Sequence, residues 1–326
     1  MSRILTGVQA TGTPHLGNIL GAISPAIKLA ENPKNESLLF IADMHTLTVI
    51  KDAKQLQQNT YSTAAAWLAM GLDTDKTIFY RQSDIPEVTE LTWYLNCVTP
   101  FPMLQNATSF KDKSDRLSDV NVGLFDYPVL MACDILLYDS EIVPVGKDQK
   151  QHLEMTRDLG SKFNHIYGEN FVIPKSQIQE NVMLVPGTDG QKMSKTYGNF
   201  INVFAPKNVI KKQVMGILTD DKPLEASKDP ESSVPFQLYS LIATDEKIKE
   251  MRANYLAGGY GYGHAKKELL NTILEVFKEP REKYDNYMAN TDLLEVELLK
   301  GAQKAKIIAA EVLNRTREKV GFRKTV

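Results

Sequence analysis

Short apolar segments alternate with longer segments of helical periodicity through the first half of the chain. The apolar segments, rich in β-branched and aromatic residues, predict strands at 3–8, 37–41, 76–80 and 142–145. The segments between them predict helices at 15–30, 54–70, 86–98 and 149–163. Strands that alternate with helices in this way are typical of a parallel sheet with crossover connections, so the pattern predicts an α/β fold.

Strand signals end near residue 202, and helical periodicity continues. The pattern predicts helices at 206–218, 235–256, 265–277 and 292–319. The glycine-rich stretch 258–263 lies between two of them and is typical of a plain turn rather than a ligand loop. The second part of the chain is therefore predicted to be a helical domain.

Composition narrows the class of protein. The 326 residues exceed one domain of about 100–200 residues. Hydrophobic and charged shares of 43% and 24% exclude wholesale disorder. The start of the chain does not resemble a signal peptide and no apolar run is long enough to cross a membrane, so we expect a cytoplasmic protein. Cys97 and Cys133 are too few for a disulfide framework or a thiolate metal site and are expected to be packed thiols.

Charge leaves nucleic-acid binding open. The net charge of −2 lacks the simplest nucleic-acid signature, but residues 301–326 carry seven Lys and Arg against two Glu, which favours contact with RNA at that end. His152, His165 and His264 lack metal-like spacing, and Trp67 and Trp93 fit core faces of helices. These side chains are expected to have core or surface roles.

The first strand runs into a glycine loop and then a helix. Gly12 and Gly17 permit a close approach of backbone or ligand, while His15 and Asn18 can present side-chain donors. Beyond the carboxyl end of a parallel strand, such a loop offers free N–H groups and a positive dipole end to a phosphate. An ordinary strand-to-helix turn explains the segment equally well on its own.

A second basic segment lies at 190–196, after a Pro-Gly turn. Lys192 and Lys195, three positions apart, could bracket a polyphosphate as point charges, and a flexible loop could bring them to the transition state. A solvated turn is the alternative. Together, His15-Leu16-Gly17-Asn18 and Lys192-Met193-Ser194-Lys195-Thr196 resemble the paired signatures of the class I aminoacyl-tRNA synthetases.

A helical segment between these signatures carries a candidate specificity pocket. Tyr127, Met131 and Asp134 follow the spacing i, i+4, i+7 and so share one face. An apolar wall with one carboxylate suits an aromatic ligand with a single N–H, such as an indole. The alternative is a core helix whose Asp134 pairs with a lysine or a helix cap.

The stretches 40–45, 109–113 and 127–134 make the resemblance closer, to the tryptophanyl-tRNA synthetase family of bacteria and organelles. The resemblance implies that the tryptophan pocket is formed by Asp134 on the indole nitrogen, Met131 on the ring, Tyr127 and Gln149 on the ammonium or carboxylate, and His45. It implies that ATP is bound by Gln9, Ala10, Thr11, Gly17, Asn18, Gly146, Lys147, Asp148, Val182, Lys192, Met193, Ser194, Lys195 and Thr196. It implies that the catalytic residues are Lys111, Lys192 and Lys195, which contact the phosphates, and His15 of the first signature.

Some positions depart from the usual text of the family. Lys147 stands where Glu is common, which leaves the role of its side chain open, and Thr196 replaces a Ser but keeps the hydroxyl. His15 stands where many relatives have Thr. The segment 182–191, which leads into the second signature, is about one residue longer than usual in the family. The assignment of Val182 to ATP binding therefore has the least support from the resemblance.

The resemblance also implies domains, chemistry and partners. It implies a Rossmann-like catalytic domain with a helical insertion at 1–205 and an α-helical anticodon-binding domain at 206–326, whose last helix can return to the catalytic domain. Tryptophan would be activated with ATP and transferred to tRNA. Mg²⁺ would be held mainly by the ATP phosphates, with no protein metal ligands. The expected partners are L-tryptophan, ATP, tRNA and a second copy of the chain, with no membrane.

Three other functions remain open from the sequence. A tyrosyl-tRNA synthetase shares the fold and could use a pocket Asp to accept from a phenol hydroxyl. An adenylyltransferase of the same superfamily would act without tRNA, which the long helical domain argues against. A non-catalytic tRNA-binding or amino-acid-sensing relative is disfavoured because both signature lysines are present.

Overall fold

A five-stranded parallel sheet forms the centre of the first half of the molecule. The computed structural model describes residues 2–108, 120–146, 149–178 and 184–323, with 176–178 described by backbone only. The strands are β1 (Ser2–Gln9), β2 (Asn35–Ala42), β3 (Ile78–Arg81), β4 (Ile142–Val145) and β5 (Lys175–Ile178). Their order is β3-β2-β1-β4-β5, so the predicted α/β fold is confirmed.

The strand order reverses between β1 and β4. From β1 the chain proceeds outward to β2 and β3, and it then returns to lay β4 on the other side of β1. A cavity lies beside these two strands, and Gln9 at the carboxyl end of β1 and Val145 at the carboxyl end of β4 line it. Ligands of open α/β sheets bind at such a reversal, because backbone groups and loops converge there without a crossover helix between them.

Helices surround the sheet in the described part of the α/β half. A short α1 (Leu16–Asn18) and a π-helical turn (Ile19–Ile23) precede α2, where the sequence predicts one continuous helix. Such π-helical turns are often found at functional sites. The helices that follow are α2 (Ser24–Ala30), α3 (Asp43–Thr46), α4 (Ala53–Ala69), α5 (Glu87–Asn96), α6 (Phe101–Gln105), α7 (Val122–Leu136) and α8 (Lys150–Tyr167).

Residues 207–319 form a helical assembly, as predicted. It comprises α9 (Lys207–Met215), α10 (Val234–Ser240), α11 (Asp245–Ala257), α12 (Tyr262–Val276), α13 (Lys278–Ala289) and α14 (Thr291–Lys319). The single helix predicted at 235–256 is two, because Thr244 caps a new helix by accepting a hydrogen bond from the backbone of Lys247. Residues 258–261 of the glycine-rich stretch form the predicted turn between α11 and α12, and residues 262–263 begin α12.

The last helix returns to the sheet and packs on the edge strand β3. A Cβ atom at Gly301 would lie 1.7 Å from the carbonyl oxygen of Phe79, so only glycine allows this approach. Arg315 pairs with Asp139, and Arg317 pairs with Glu90. Two of the basic residues that the sequence offers to RNA therefore bind carboxylates of the α/β half instead.

Two predicted core residues lie at the surface. Cys133 is buried, but Cys97 is exposed. Trp67 is buried, whereas Trp93 is 68% exposed because α5 turns its other face, with Val88 and Leu91, toward the core. No helix within the described ranges has the length and apolar character that a membrane crossing requires.

Candidate functional site

A cavity of about 1130 Å³ fills the crevice between β1 and β4. Its walls come from the ends of both strands, from α7 and from the start of α8. Its lining is mixed, with apolar groups such as Leu5 and Ile135 beside buried polar groups. The sequence-predicted residues that line it are Gln9, His45, Tyr127, Met131, Asp134, Gly146 and Gln149.

The carboxylate of Asp134 is the most enclosed charged group of the cavity. Asp134 is 3% exposed, and one carboxylate oxygen lies 2.8 Å from Nε2 of His45. The side-chain amide of Gln82 donates to both oxygens, at 2.8 and 2.9 Å. These partners differ from the lysine or helix cap that the sequence leaves as the alternative.

Burial raises the pKa of Asp134, while the hydrogen bonds from His45 and Gln82 lower it. A carboxylate offers about four acceptor positions. The three contacts from His45 and Gln82 therefore leave room for one more donor, and the cavity is the side from which that donor can come.

A second buried pair lies in the same wall. The hydroxyl of Tyr127 is 2.7 Å from Nε2 of His152, and the two rings meet edge to face with centroids 5.2 Å apart. His45 also meets Tyr127 edge to face, at 6.0 Å. The three side chains therefore form one continuous aromatic surface along the cavity.

Gln82 and His152 are the site residues that the sequence analysis missed. Gln82 follows β3 directly, and the carboxyl ends of parallel strands meet at one edge of a sheet, so its position was a usable signal. His152 follows Gln149 by one turn at the start of α8, and helical spacing puts both on one face. His152 is buried, as a core residue would be, but it lines the cavity.

The first signature forms a tight loop and a helix start. Gly12 has a φ of +106°, a conformation that favours glycine. The side chain of His15 accepts a hydrogen bond from the backbone of Asn18 at 3.2 Å, and Asn18 accepts one from the backbone of His15 at 3.1 Å. Both predicted phosphate donors thus also cap the helix.

The ring of His15 is neutral near pH 7. Burial, and then the charge of Lys195, lower the pKa of His15 to about 4. Because Nδ1 accepts the backbone hydrogen bond of Asn18, the proton of the neutral ring is on Nε2. Nε2 is therefore the atom through which His15 can donate to a ligand.

The second signature contacts the first directly. The ammonium of Lys195 donates to the carbonyl oxygen of Thr11 at 3.2 Å, and the sulfur of Met193 accepts from the backbone of Gly17 at 3.2 Å. Burial lowers the pKa of Lys195 to about 8. The two segments, 176 and 184 residues apart in sequence at these two contacts, thus meet in the folded chain.

The second signature is predicted to be a flexible loop, and in this structure its backbone is hydrogen-bonded to one buried side chain. The amide of Asn199 accepts from the backbone of Ser194 at 2.7 Å and donates to Asp189 at 2.7 Å and to the carbonyl of Lys192 at 3.1 Å. Asn199 is 3% exposed. These hydrogen bonds define the backbone conformation that the segment adopts in this structure.

The remaining predicted residues divide into three groups. Ala10 and Met193 are buried, while Thr11, Asn18, Lys192 and Thr196 are exposed around the loop. Within the described ranges there is no group of three or more His, Cys, Asp or Glu placed to hold a metal. The residues that lie outside the described ranges are Lys111, Lys147, Asp148 and Val182.

Comparisons with known proteins agree on one family. The family described as tRNA synthetases class I (W and Y) matches residues 1–278. The chain is 48% identical to the tryptophan–tRNA ligase of Fusobacterium nucleatum, over 99% of this chain and 98% of that one. It is 46% identical to the tryptophan–tRNA ligase of Rhodopirellula baltica, over 98% of this chain and all of that one.

Solved structures give the same result. The tryptophanyl-tRNA synthetase of Campylobacter jejuni complexed with ADP and tryptophan superimposes with a TM-score of 0.95 at 43% identity, covering 98% of this chain and 100% of that one. The tryptophanyl-tRNA synthetase of Mycoplasma pneumoniae gives a TM-score of 0.81 at 27% identity, covering 99% and 98%.

Proposed function

The chain belongs to the class I tRNA synthetases for tryptophan and tyrosine, and on that basis we propose that it attaches tryptophan to tRNA at the expense of ATP. The observation that carries the choice of tryptophan is the buried carboxylate of Asp134 at the end of a cavity that also reaches the glycine loop at Gln9. One acceptor position of that carboxylate remains for a ligand. An indole N–H supplies the single donor that it requires.

The first step joins tryptophan to AMP. The tryptophan carboxylate, already ionised at neutral pH, attacks the α-phosphorus of ATP, and pyrophosphate leaves. No general base is needed, so the protein acts by positioning the reactants and stabilising charge on the phosphate oxygens. In this proposal Tyr127 and Gln149 hold the ammonium or carboxylate of tryptophan, while Lys195 and Nε2 of neutral His15 face the phosphates.

The second step transfers tryptophan to the 3′ end of tRNA, where a ribose hydroxyl attacks the adenylate carbonyl and releases AMP. We assign anticodon binding to the helical part, 206–326. The bases of an anticodon loop are unstacked, so protein side chains can reach them. The exposed Lys207, Lys211 and Lys212 of α9 can neutralise tRNA phosphates. Transfer of tryptophan to tRNA would take place in the cytoplasm.

Mg²⁺ enters with ATP in this proposal. It prefers oxygen ligands, dehydrates reluctantly and commonly binds through substrate phosphates. Lys195 and Nε2 of His15 then supply the protein's share of charge stabilisation, because the backbone N–H groups of Leu16, Gly17 and Asn18 already have partners.

A twofold dimer is part of the proposal. Three exposed apolar side chains lie on neighbouring helices, Trp93 of α5 at 68%, Phe101 of α6 at 64% and Val122 of α7 at 80%. Aromatic residues are enriched at protein–protein interfaces, and a twofold axis would place these helices of one copy against the same helices of the other. Light scattering should give twice the chain mass, and Val122→Glu should give the monomer, whereas Ile307→Glu, on the exposed side of α14, should not. A monomeric unmodified protein would contradict this part.

Exchange of pyrophosphate into ATP, measured with each of the twenty amino acids, tests the reaction. Tryptophan should exceed tyrosine in kcat/KM by more than about 1,000-fold, because tyrosine cannot place a donor at the same point. 1-Methyltryptophan, which lacks the N–H, should exchange poorly. Comparable exchange with tyrosine would overturn the amino-acid specificity, and exchange without charging of tRNA would overturn the second step.

A further inference from the structure

Three hydroxyl groups connect the helical half of the molecule to the glycine loop that follows β1 (the nucleotide loop). Ser62 of α4 is 2.8 Å from the hydroxyl of Thr13 and 2.8 Å from the hydroxyl of Tyr284, which belongs to α13. The hydroxyls of Thr13 and Tyr284 are 3.4 Å apart. Thr13 lies between Gly12 and His15, so this contact is made within the glycine loop that leads into the first signature.

The order of donors in this group follows from the number of protons. Ser62 is 2% exposed and donates to Thr13. Since a hydroxyl has only one proton to donate, Tyr284 must be the donor to Ser62. The chain of hydrogen bonds therefore runs from Tyr284 through Ser62 to Thr13. Because the proton of Tyr284 goes to Ser62, Thr13 is the donor in its 3.4 Å contact with Tyr284, so the three hydroxyls close a ring in which each bond polarises the next.

Other contacts fix Tyr284 in place independently of its hydroxyl. Its ring stacks on Phe204 with centroids 4.3 Å apart and planes 20° apart. Arg281, one turn earlier in α13, donates to the carbonyl oxygen of Val203 at 2.7 Å. The ring would therefore stay in position if the hydroxyl alone were removed.

We propose that Tyr284 is a positioning residue for ATP, which orients Thr13 and the glycine loop through Ser62. The inference rests on the proposed function, because it takes ATP as the ligand of that loop. By this route the helical half of the chain sets the affinity of the α/β half for ATP without contacting ATP itself.

Tyr284→Phe removes one hydroxyl and retains the stacked ring, and Tyr61→Phe is its matched control. Tyr61 also belongs to α4 and its hydroxyl also reaches the helical half, at Glu295 of α14 at 2.7 Å, but it does not touch the nucleotide loop. The dissociation constant of Mg-ATP, measured by calorimetry without tryptophan, should rise by about 2- to 10-fold in Tyr284→Phe, the loss expected for one hydrogen bond. It should be unchanged in Tyr61→Phe, and KM for tryptophan should be unchanged in both.

Coupling to Thr13 separates positioning from general destabilisation. Tyr284→Phe should have no further effect on ATP affinity in a Thr13→Val background, and Ser62→Ala should reproduce its effect. Unchanged ATP affinity in Tyr284→Phe, an equal loss in Tyr61→Phe, or additive losses with Thr13→Val would overturn the inference. If Tyr284→Phe failed to fold, Ser62→Ala would provide the same comparison. ATP binding without tryptophan-dependent exchange would instead contradict the proposed reaction and leave this measurement intact.

Discussion

The two ends of the crevice are built in different ways. At the tryptophan end, Asp134, His45 and Gln82 come from three separate elements, are 3%, 7% and 1% exposed, and bond through side chains. At the nucleotide end, Lys195 and Met193 contact backbone atoms of the glycine loop, and the lysine keeps a flexible stem. A neutral ring is selected by a fixed acceptor that is costly to leave unpaired. In the proposed function, the changing charge of a polyphosphate is met by Lys195, which would move from the carbonyl oxygen of Thr11 to the phosphates.

Loss of the Lys195 ammonium should have the largest effect on the rate of pyrophosphate exchange. Lys195→Ala should lower kcat for pyrophosphate exchange by about 100-fold or more, because a charge aimed at the transition state is lost. The dissociation constant of ATP should change by much less, since the ammonium is bound to Thr11 in the absence of ATP. Single-turnover rates and ATP binding should be compared with Lys207→Ala as the control. Equal losses in binding and rate would mean that Lys195 acts in the ground state.

Loss of the Asp134 carboxylate should affect the use of tryptophan but not the binding of ATP. Asp134→Ala should lower kcat/KM for tryptophan by about 10- to 100-fold, the range expected for a hydrogen bond to a charged group, and should leave ATP affinity unchanged. Asp126→Ala, on the same helix, is the control because Asp126 bonds to Asn96 away from the large cavity. An unchanged kcat/KM in Asp134→Ala would remove the indole role.

The acid limb of the pH profile of kcat/KM for tryptophan should report on Asp134. The pKa of Asp134 is raised by burial and held down by the amide of Gln82, so Gln82→Met should raise it further. The carboxylate accepts above its pKa and loses that ability as the pH falls through it. The acid limb of kcat/KM for tryptophan should therefore move to higher pH in Gln82→Met, with a loss of only a few-fold at neutral pH. A superimposable profile would show that Gln82 does not support the carboxylate.

The affinity for ATP at alkaline pH should report on Lys195, and this effect should be the smallest of the four predicted in this comparison. Because the pKa of Lys195 is about 8, the free protein carries this charge below pH 8 and loses it as the pH rises above that value. Binding of ATP without tryptophan should therefore weaken between pH 7 and pH 9. Lys195→Arg should flatten this dependence, since a guanidinium stays charged throughout. The same slope in both proteins would assign the titration to another group.

The sequence predicted the parts of the fold that have strong local patterns. Four of the five described strands and most helices follow apolar periodicity, whereas β5 reads Lys-Ser-Gln-Ile and has little apolar character. Helix α13 was missed because Tyr284 is its only buried residue, so no apolar stripe appears in its sequence. Elements of this kind are specified by tertiary contacts, which single-sequence periodicity cannot show.

The same distinction holds within the site. Glycines, paired lysines and the spacing of Tyr127, Met131 and Asp134 are local signals; the structure lines one cavity with the last three residues and brings Lys195 to the glycine loop. The partners Gln82 and Asn199 are isolated polar residues whose roles depend on what the fold places beside them. Their roles follow only from the three-dimensional arrangement.

The close packing of Gly301 on Phe79 has a consequence for synthesis of the protein. The ribosome releases β3 long before it releases the helix that covers it, so the nascent sheet waits with its outer strand uncovered. Uncovered strand edges pair with other chains. We therefore expect newly made molecules to be more prone to aggregate before α14 has emerged than after it has covered β3.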